Sequence, residues 1–459
     1  MVRKSQKNAK GARRRTGANP QVKSYRAKVR MYRQGLGDCF LISLPRSDSD
    51  HPYNVLIDCG VILGTADAST KMTEVVENII AATQGEIDLL LATHEHWDHV
   101  SGFVQAKGAF DKLKVHEVWL GWAENRNDPL TQKLKAQRDE ALDSIRQGLS
   151  RLQLAGDEHA GDAVELGGIL EFFGAAKGAS TGDALAYVRK MSPKLRYRLP
   201  TDDPVEPSGV GARFYVLGPP HDEKSLRKIN PSTRDKETYG LASDGLKIFM
   251  EGAGTALNRE DIGQPFDRQY EIPFPYAREM AFFQQQYWTS ADTTDNWRQI
   301  DIDWLGGSTE CALHLDSLTN NTSLALAIEL SDGDVLLFAA DAQVGNWLSW
   351  QGLEWGIGGK KVTGPDLLKR TIFYKVGHHG SHNATLTDKG LEQMERLRVA
   401  MIPVDEAMAK KKGWNHIPLD QLVAALNEKT KGVVLRVDRP MPMTQEQVVE
   451  DRLFFEVTF

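Results

Sequence analysis

The stretch at residues 86–103, EIDLLLATHEHWDHVSGF, decides the fold of this chain. Its apolar run at 87–92 has the length and composition of a buried strand. Three histidines and an aspartate follow at once: His94, His96, Asp98 and His99. Because α/β folds place their sites at the carboxyl ends of strands, this position predicts a functional site at a sheet edge.

The spacing of these four side chains suits metal binding. Imidazole nitrogens and carboxylate oxygens are ligands for zinc, manganese and iron. His94 and His96 lie two residues apart, so in an extended segment they point the same way and can hold one ion. Asp98 and His99, just past the bend, can face a second ion, as in the paired metal sites of hydrolases. The alternative interpretation is a surface run of histidines.

Outward from this stretch, strands and helices alternate. KVRMYRQGLGDCFLISLP at 28–45 predicts two strands joined by a glycine-bounded turn, and apolar segments at 53–60 and 114–122 predict further strands. Apolar positions three and four apart at 70–84 predict a helix. Residues 128–154 predict an amphipathic helix, and 167–175 a further strand. Residues 352–364 are interpreted as a glycine-rich loop. The alternation favours a layered α/β core.

Composition limits the class of protein. The chain has 459 residues, of which 41% are hydrophobic and 26% charged, which predicts two or three domains or one domain with large insertions. No apolar run is long enough for a membrane span, and no secretory signal is expected. Three scattered cysteines favour neither a disulfide framework nor a thiolate zinc site. We expect a cytoplasmic protein.

Charge is spread unevenly along the chain. Residues 1–37 carry twelve Lys or Arg and no acid, so the net charge of -6 becomes -18 for residues 38–459. The basic segment is either a solvated flexible tail or an arm that tethers the protein to polyanions. An arm of this kind would add affinity without sequence specificity.

Several motifs in the same order resemble one family. HEHWDH at 94–99 resembles the HxHxDH signature of the metallo-β-lactamase superfamily. Four further segments resemble the metallo-hydrolase domains related to the DNA-uptake protein ComEC: GLGDCFLISL at 35–44, NNTSLALAIELSDGDVLLFAADA at 320–342, KVGHHGSHNAT at 375–385 and PVDEAMAKKKGWNHIPLDQLVAAL at 403–426. The membrane part of ComEC has no counterpart. The resemblance implies an α/β fold, the metallo-β-lactamase αββα sandwich with large insertions, and a dinuclear site.

The resemblance also implies roles for individual residues. His94 and His96 bind metal one, Asp98 and His99 bind metal two, and Asp341 bridges both ions. The last ligand of metal two is His378, with its neighbour His379 as the alternative. The implied cofactors are two divalent ions, Zn or Mn.

Other residues receive roles around the ions. Asp58 orients a ligating histidine or simply serves the turn. Asn321 stands where the superfamily places a further histidine for metal one. His314 is nearby but falls outside the match, and His221 is another candidate ligand. His416 is a candidate proton donor, and Ser381 a candidate substrate contact.

These motifs divide the chain into segments. They are a basic flexible tail (1–28), the first part of the core (29–125), a helical insertion plus core strands (126–211), a core strand (212–220), an insertion or lid (221–315) and the second part of the core (316–459).

The function predicted is that of a metal-dependent hydrolase, with a metal-bound hydroxide as nucleophile and Asp98 helping to orient the water. The resemblance favours a phosphodiesterase or nuclease, hence a nucleic-acid or nucleotide substrate and no membrane partner. One alternative is a hydrolase of a small ester, lactone or amide. Another is a scaffold protein that binds a protein partner through 221–315.

Overall fold

A computed structural model of the chain describes residues 25–155, 180–228, 272, 274–288, 317–442 and 445–459. Most of the basic tail, the expected strand at 167–175, His314 and most of the segment 221–315 lie outside these residues. The domain boundaries remain predictions.

The first sheet contains eight strands in the order β15-β16-β1-β2-β3-β4-β5-β6. Neighbours are antiparallel from β15 to β3 and parallel from β3 to β6. The strands are β1 (Lys28–Tyr32), β2 (Phe40–Leu44), β3 (Tyr53–Ile57), β4 (Glu86–Ala92), β5 (Lys114–Gly121), β6 (Leu195–Arg198), β15 (Val448–Glu450) and β16 (Phe454–Thr458).

The second sheet contains six strands in the order β14-β13-β12-β9-β8-β7. The pairs β7–β8 and β8–β9 are antiparallel, and the pairs from β9 to β14 are parallel. The strands are β7 (Arg213–Gly218), β8 (Ala325–Glu329), β9 (Val335–Phe338), β12 (Thr371–Lys375), β13 (Val399–Ile402) and β14 (Val434–Arg436).

Helices cover the outer face of each sheet. On the first sheet they are Ala68–Thr83, Trp97–Val100, Gly102–Gln105, Lys107–Phe110 and Thr181–Val188. On the second they are Val344–Ser349, Gly364–Lys369, Glu406–Lys411 and Asp420–Thr430. Further helices are Pro129–Ala155, Glu223–Leu226, Phe274–Glu279 and Ala281–Phe283. Within the described residues no helix is long and apolar enough to cross a bilayer.

The strand β4 shows why the layers form. Its side chains alternate between two cores: Leu89 and Leu91 pack between the sheets, while Leu90 and Ala92 pack under the helices. A strand that is buried on both faces therefore reads as a continuous apolar run. The expected αββα sandwich is confirmed.

One local prediction is wrong. Residues 352–364 contain a hairpin, β10 (Glu354–Ile357) and β11 (Lys360–Thr363), and not only a loop. Gly358 and Gly359 form its two-residue turn with φ of 54° and 77°. Two glycines at positive φ suit the tight turn of a hairpin. The high glycine content led to the prediction of a loop, although two adjacent glycines are also typical of a hairpin turn.

Candidate metal centre

Strand ends from both sheets meet at one edge of the sandwich. In the first sheet, β2 begins where β3 and β4 end, since Phe40 pairs with Ile57 and Ile57 with Leu91. In the second sheet, β9 and β12 run parallel and end together. The segments at these ends bring together Asp38, Asp58, His94, His96, Asp98 and His99 from the first sheet and Asp341, Lys375, His378 and His379 from the second.

Asp58 fixes the orientation of His99. Its Oδ1 accepts from the backbone N of Thr93 at 2.8 Å, and its Oδ2 accepts from Thr93 Oγ1 at 2.7 Å. The same Oδ2 lies 2.8 Å from Nδ1 of His99. A carboxylate only accepts, so Nδ1 carries the proton and Nε2 is directed to the centre. The geometry therefore supports the orienting role expected for Asp58.

His94 and His96 face each other. Nε2 of His94 lies 3.0 Å from Nδ1 of His96, and both residues are buried. Two nitrogens that each lie about 2.0–2.1 Å from a tetrahedral zinc ion are about 3.4 Å apart. The two rings are therefore close to the arrangement that one shared ion requires.

The second sheet completes the centre with Asp341 and His379. Oδ2 of Asp341 lies 3.1 Å from Nε2 of His99 and 3.5 Å from Nε2 of His379. Nε2 of His379 also lies 2.8 Å from Oδ2 of Asp98, while its Nδ1 lies 2.9 Å from the carbonyl oxygen of Pro403. His379 thus repeats the arrangement of His99, with Nδ1 held from outside and Nε2 directed inward.

A smaller cluster offers the tightest set of ligand atoms. One atom each from Asp38, His99, Asp341 and His379 lie within 4.8 Å of one another, and all four residues are buried. The carboxylate oxygens Asp38 Oδ1 and Asp98 Oδ1 are buried without a hydrogen-bond partner among the described residues. Buried, unsatisfied carboxylate oxygens beside imidazoles suit a divalent cation. The donor set therefore fits a metal ion.

His378 lies outside that cluster. Its Nε2 is 3.3 Å from the amide nitrogen of Asn320, and its Nδ1 is 3.5 Å from that of Gln343. His378 is partly exposed, whereas His379 is 3% exposed. Between the two neighbours that the sequence offers, the geometry places His379 on the carboxylates and His378 toward solvent.

Four residues without glycine's freedom adopt left-handed backbone conformations here. They are Asp58 (φ 55°), Ala340 (φ 50°), His378 (φ 43°) and His379 (φ 51°). Such conformations cost of order 1–3 kcal/mol each and persist where surrounding contacts hold them, often at functional sites. Their concentration at these strand ends indicates a preorganised site.

Burial and charge divide the imidazoles into two groups. Burial lowers the pKa of His96 to about 4, and lowers that of His94 well below its ordinary value. Burial also opposes protonation of His99 and His379, yet nearby carboxylates, above all Asp341, raise the pKa of both. The first group is therefore neutral at pH 7, the form that binds a metal.

Asn321 has a structural role in this fold. Its Nδ2 donates to the carbonyl oxygen of Leu226 at 2.8 Å, and its Oδ1 accepts from the backbone N of Gln343 and of Asn346. Asn321 thus joins the start of β8 to two other segments. The other candidate for metal one, His221, is exposed, and its Nε2 lies 2.9 Å from Oδ2 of Asp128.

The remaining candidates lie near the second histidine pair. Ser381 is buried and donates to Oδ1 of Asn383 at 3.1 Å. His416 is exposed. Burial lowers the pKa of His382, and the nearby charge of His416 lowers it further. The backbone N of Leu419 donates to the carbonyl oxygen of Gly380 at 2.9 Å, so the chain just after His416 lies against the segment that carries His378 and His379.

The helix Pro129–Ala155 contacts the HEHWDH segment through charge. Glu95, between the two facing histidines, is 3.0 Å from Nη1 of Arg138 and 3.8 Å from Nζ of Lys135. Thr181 donates to Oε1 of Glu95 at 3.3 Å. This helix of the predicted insertion is therefore attached directly to the segment that carries four candidate ligands.

Two residues of the centre have no specific role from sequence alone. Asp38 belongs to the GLGD motif, and Lys375 opens the KVGHHG motif. Both are 1% exposed, and Nζ of Lys375 lies 2.6 Å from Oδ2 of Asp38. The sequence signal that could have identified both residues is their position inside motifs of the site, GLGD for Asp38 and KVGHHG for Lys375.

Comparison with known proteins agrees with this architecture. Residues 34–215 match the model of the metallo-beta-lactamase superfamily. No curated protein gives a significant match to the chain. The matched region contains HEHWDH, whereas Asp341 and His379 lie beyond it and join the site through the second sheet. The fold is thus that of a metallo-β-lactamase sandwich, and its Asp/His cluster together with the superfamily match supports a metal-dependent hydrolase.

Proposed function

We propose that the protein is a metal-dependent phosphodiesterase or nuclease that acts through two divalent ions, zinc or manganese. The buried cluster in which His99, Asp341 and His379 converge where both sheets end, with Asp38 beside them, carries the proposal. The motif resemblance to ComEC-related domains supports a phosphodiester over other substrates. The two free buried thiols, Cys39 and Cys59, are consistent with a cytoplasmic location.

The site residues divide into two ligand sets. His94 and His96 would hold one ion, and Asp98, His99 and His379 would hold the other. Asp341, whose Oδ2 faces Nε2 of His99 and of His379, would link the two sets. Bound ions of this type activate water and stabilise charge on the phosphoryl oxygens. Asp98 is suited to orient the attacking water because its Oδ2 contacts His379 while its Oδ1 has no described hydrogen-bond partner.

Cations of the insertion helix support an anionic substrate. The side chain of Lys135 is 44% exposed, and its Nζ lies 3.8 Å from Oε2 of Glu95 in the HEHWDH segment. We propose that Lys135 contributes to binding the phosphate backbone, and that His416 and Ser381 contact the leaving-group side. The basic residues at 1–24 would add affinity for a nucleic acid. A protein partner for the segment 221–315 remains a second proposal.

The test is hydrolysis by the purified full chain. We would measure bound zinc and manganese, then cleavage of a chromogenic phosphodiester and of single- and double-stranded DNA and RNA with each metal. We expect metal-dependent cleavage, reduced at least ~10³-fold in Asp341→Ala because the residue between the ligand sets is lost. Asp388→Ala, which removes an exposed carboxyl, is the matched control.

Each other outcome has a definite meaning. Bound metal without cleavage of any phosphodiester would replace this proposal with hydrolysis of a small ester, lactone or amide. No bound metal in the wild-type protein would contradict an enzyme of this type and favour the scaffold alternative. Equal activity in Asp341→Ala would show that hydrolysis comes from another site or a contaminant.

A further inference from the structure

Lys375 is a buried ammonium at the centre of the site. It ends β12 and is 1% exposed. Its Nζ lies 2.8 Å from the carbonyl oxygen of Ala340, 3.1 Å from Oδ1 of Asp341 and 2.6 Å from Oδ2 of Asp38. A lysine has three N–H donors, so these three oxygens satisfy the group completely.

Asp38 is held rigidly on the opposite sheet. Its backbone N donates to the carbonyl oxygen of Asp98 at 3.0 Å, and its own carbonyl oxygen accepts from the N of Gly60 at 2.9 Å. Gly37 has φ of 145°, and a Cβ there would lie 2.6 Å from carbonyl oxygens of both Gly60 and Asp98. The chain is therefore packed too closely at this point for Asp38 to move without the HEHWDH segment.

Asp38 lies on the outer side of both inward-facing histidines. Its Oδ2 is 3.8 Å from Nδ1 of His99, and its Oδ1 is 3.7 Å from Nδ1 of His379. In both rings the opposite nitrogen, Nε2, faces Asp341. Asp38 is therefore close to the other three residues of the cluster, but its carboxylate faces the Nδ1 atoms of the histidines and not the Nε2 atoms that face Asp341.

We propose that Lys375 is the internal counter-ion and a positioning residue of this centre, and that Asp38 is its anchor and not a metal ligand. Lys375 holds Oδ1 of Asp341, which leaves only Oδ2 to face the histidines. Because Asp38 comes from the first sheet and Asp341 from the second, the ammonium also fixes the two sheet edges relative to each other. This inference concerns metal binding and does not depend on the substrate proposed above.

The first test is the metal stoichiometry of Asp38→Asn. We expect the same number of zinc equivalents as in the wild-type protein, bound with a weaker apparent Kd because Lys375 has lost its anchor, whereas Asp341→Asn loses at least one equivalent. Loss of an equivalent in Asp38→Asn would make Asp38 a ligand and overturn the inference. The measurement uses dialysed protein, zinc titration and a chromophoric chelator, with no activity assay.

The second test is the stability of Lys375→Met with and without zinc. Removing the ammonium leaves Asp38 and Asp341 as buried, uncompensated carboxylates. We expect a large fall in Tm for the metal-free variant, and a zinc-induced rise in Tm greater than in the wild-type protein, because the ions replace the missing positive charge. Equal losses of Tm with and without zinc would show a simple strut between sheets and overturn the counter-ion role.

A double variant keeps the test decisive if Lys375→Met does not fold. Lys375→Met combined with Asp38→Asn removes the charge pair together, and we expect it to recover Tm relative to Lys375→Met in metal-free buffer. Failure of Asp38→Asn to restore any stability would contradict the pairing. This comparison needs no metal, so it remains informative even if the wild-type protein binds none and the proposed function fails.

Discussion

The two histidine segments of the centre differ in how their backbones present side chains. Residues 94–99 leave β4 in an extended conformation and then enter a helical turn, so alternate side chains share a direction. Residues 377–380 pass through two consecutive left-handed conformations at His378 and His379. A regular backbone makes ligand direction readable from spacing, whereas the irregular one separates adjacent side chains in a way that spacing does not show.

The two segments also differ in their support. Asp58 and the insertion helix hold the first segment, through His99 and Glu95 respectively. The second segment is held by the backbone: Pro403 accepts from His379, and Leu419 donates to Gly380. Side-chain contacts can be removed one at a time by substitution, so the support of the first segment can be tested contact by contact. In the second segment the test is which of the two adjacent histidines binds the metal.

The largest expected effect comes from the choice between the adjacent histidines. We expect His379→Ala to lose a metal equivalent and at least ~10³-fold in hydrolysis, since Nε2 of His379 faces both Asp98 and Asp341. We expect His378→Ala to keep its metal. Metal analysis of the two variants side by side decides the matter, and the reverse pattern would restore His378 as the ligand.

Separation of the insertion helix from the first segment should have the next largest effect. Arg138→Met leaves Glu95 partly buried without its closest cation, and we expect a loss of about 3 kcal/mol in the free energy of unfolding. Glu95→Gln in the same chain should recover part of this loss. Urea denaturation of the single and double variants measures the coupling, and additive effects would show that the pair contributes nothing.

Weaker support of His99 should change metal affinity more than stability. Asp58→Asn replaces the carboxylate that accepts from Nδ1 of His99 with a neutral amide, which is a weaker acceptor. We expect the affinity for divalent metal to fall about 10–100-fold. Asp88→Asn, at a partly buried aspartate away from the centre that accepts from the backbone of Asn54, is the control. Unchanged affinity would assign Asp58 to the turn alone.

The sequence predicts much of the first segment and less of the second. HxHxDH after an apolar strand predicts four side chains in one place, because alternate residues of an extended segment point the same way and the following turn brings the next two residues back. The choice between His378 and His379 depends on two left-handed residues, which no local pattern encodes. The contact between Lys375 and Asp38 joins residues far apart in sequence, so it depends on how the two sheets pack.

The smallest expected effect is a pH dependence beneath the insertion helix. Burial, with the nearby charge of Glu95, raises the pKa of Glu124 to about 7, even though Arg189 lies 2.9 Å away. A carboxyl with a raised folded-state pKa favours the protonated form on folding, so the wild-type protein loses stability as pH rises from about 4.5 to 7. Glu124→Gln lacks this titration. We therefore expect its unfolding free energy relative to wild type to increase by about 2 kcal/mol between pH 5 and pH 7. Urea denaturation across that range measures the difference, and a constant value would mean that Arg189 keeps Glu124 ionised throughout.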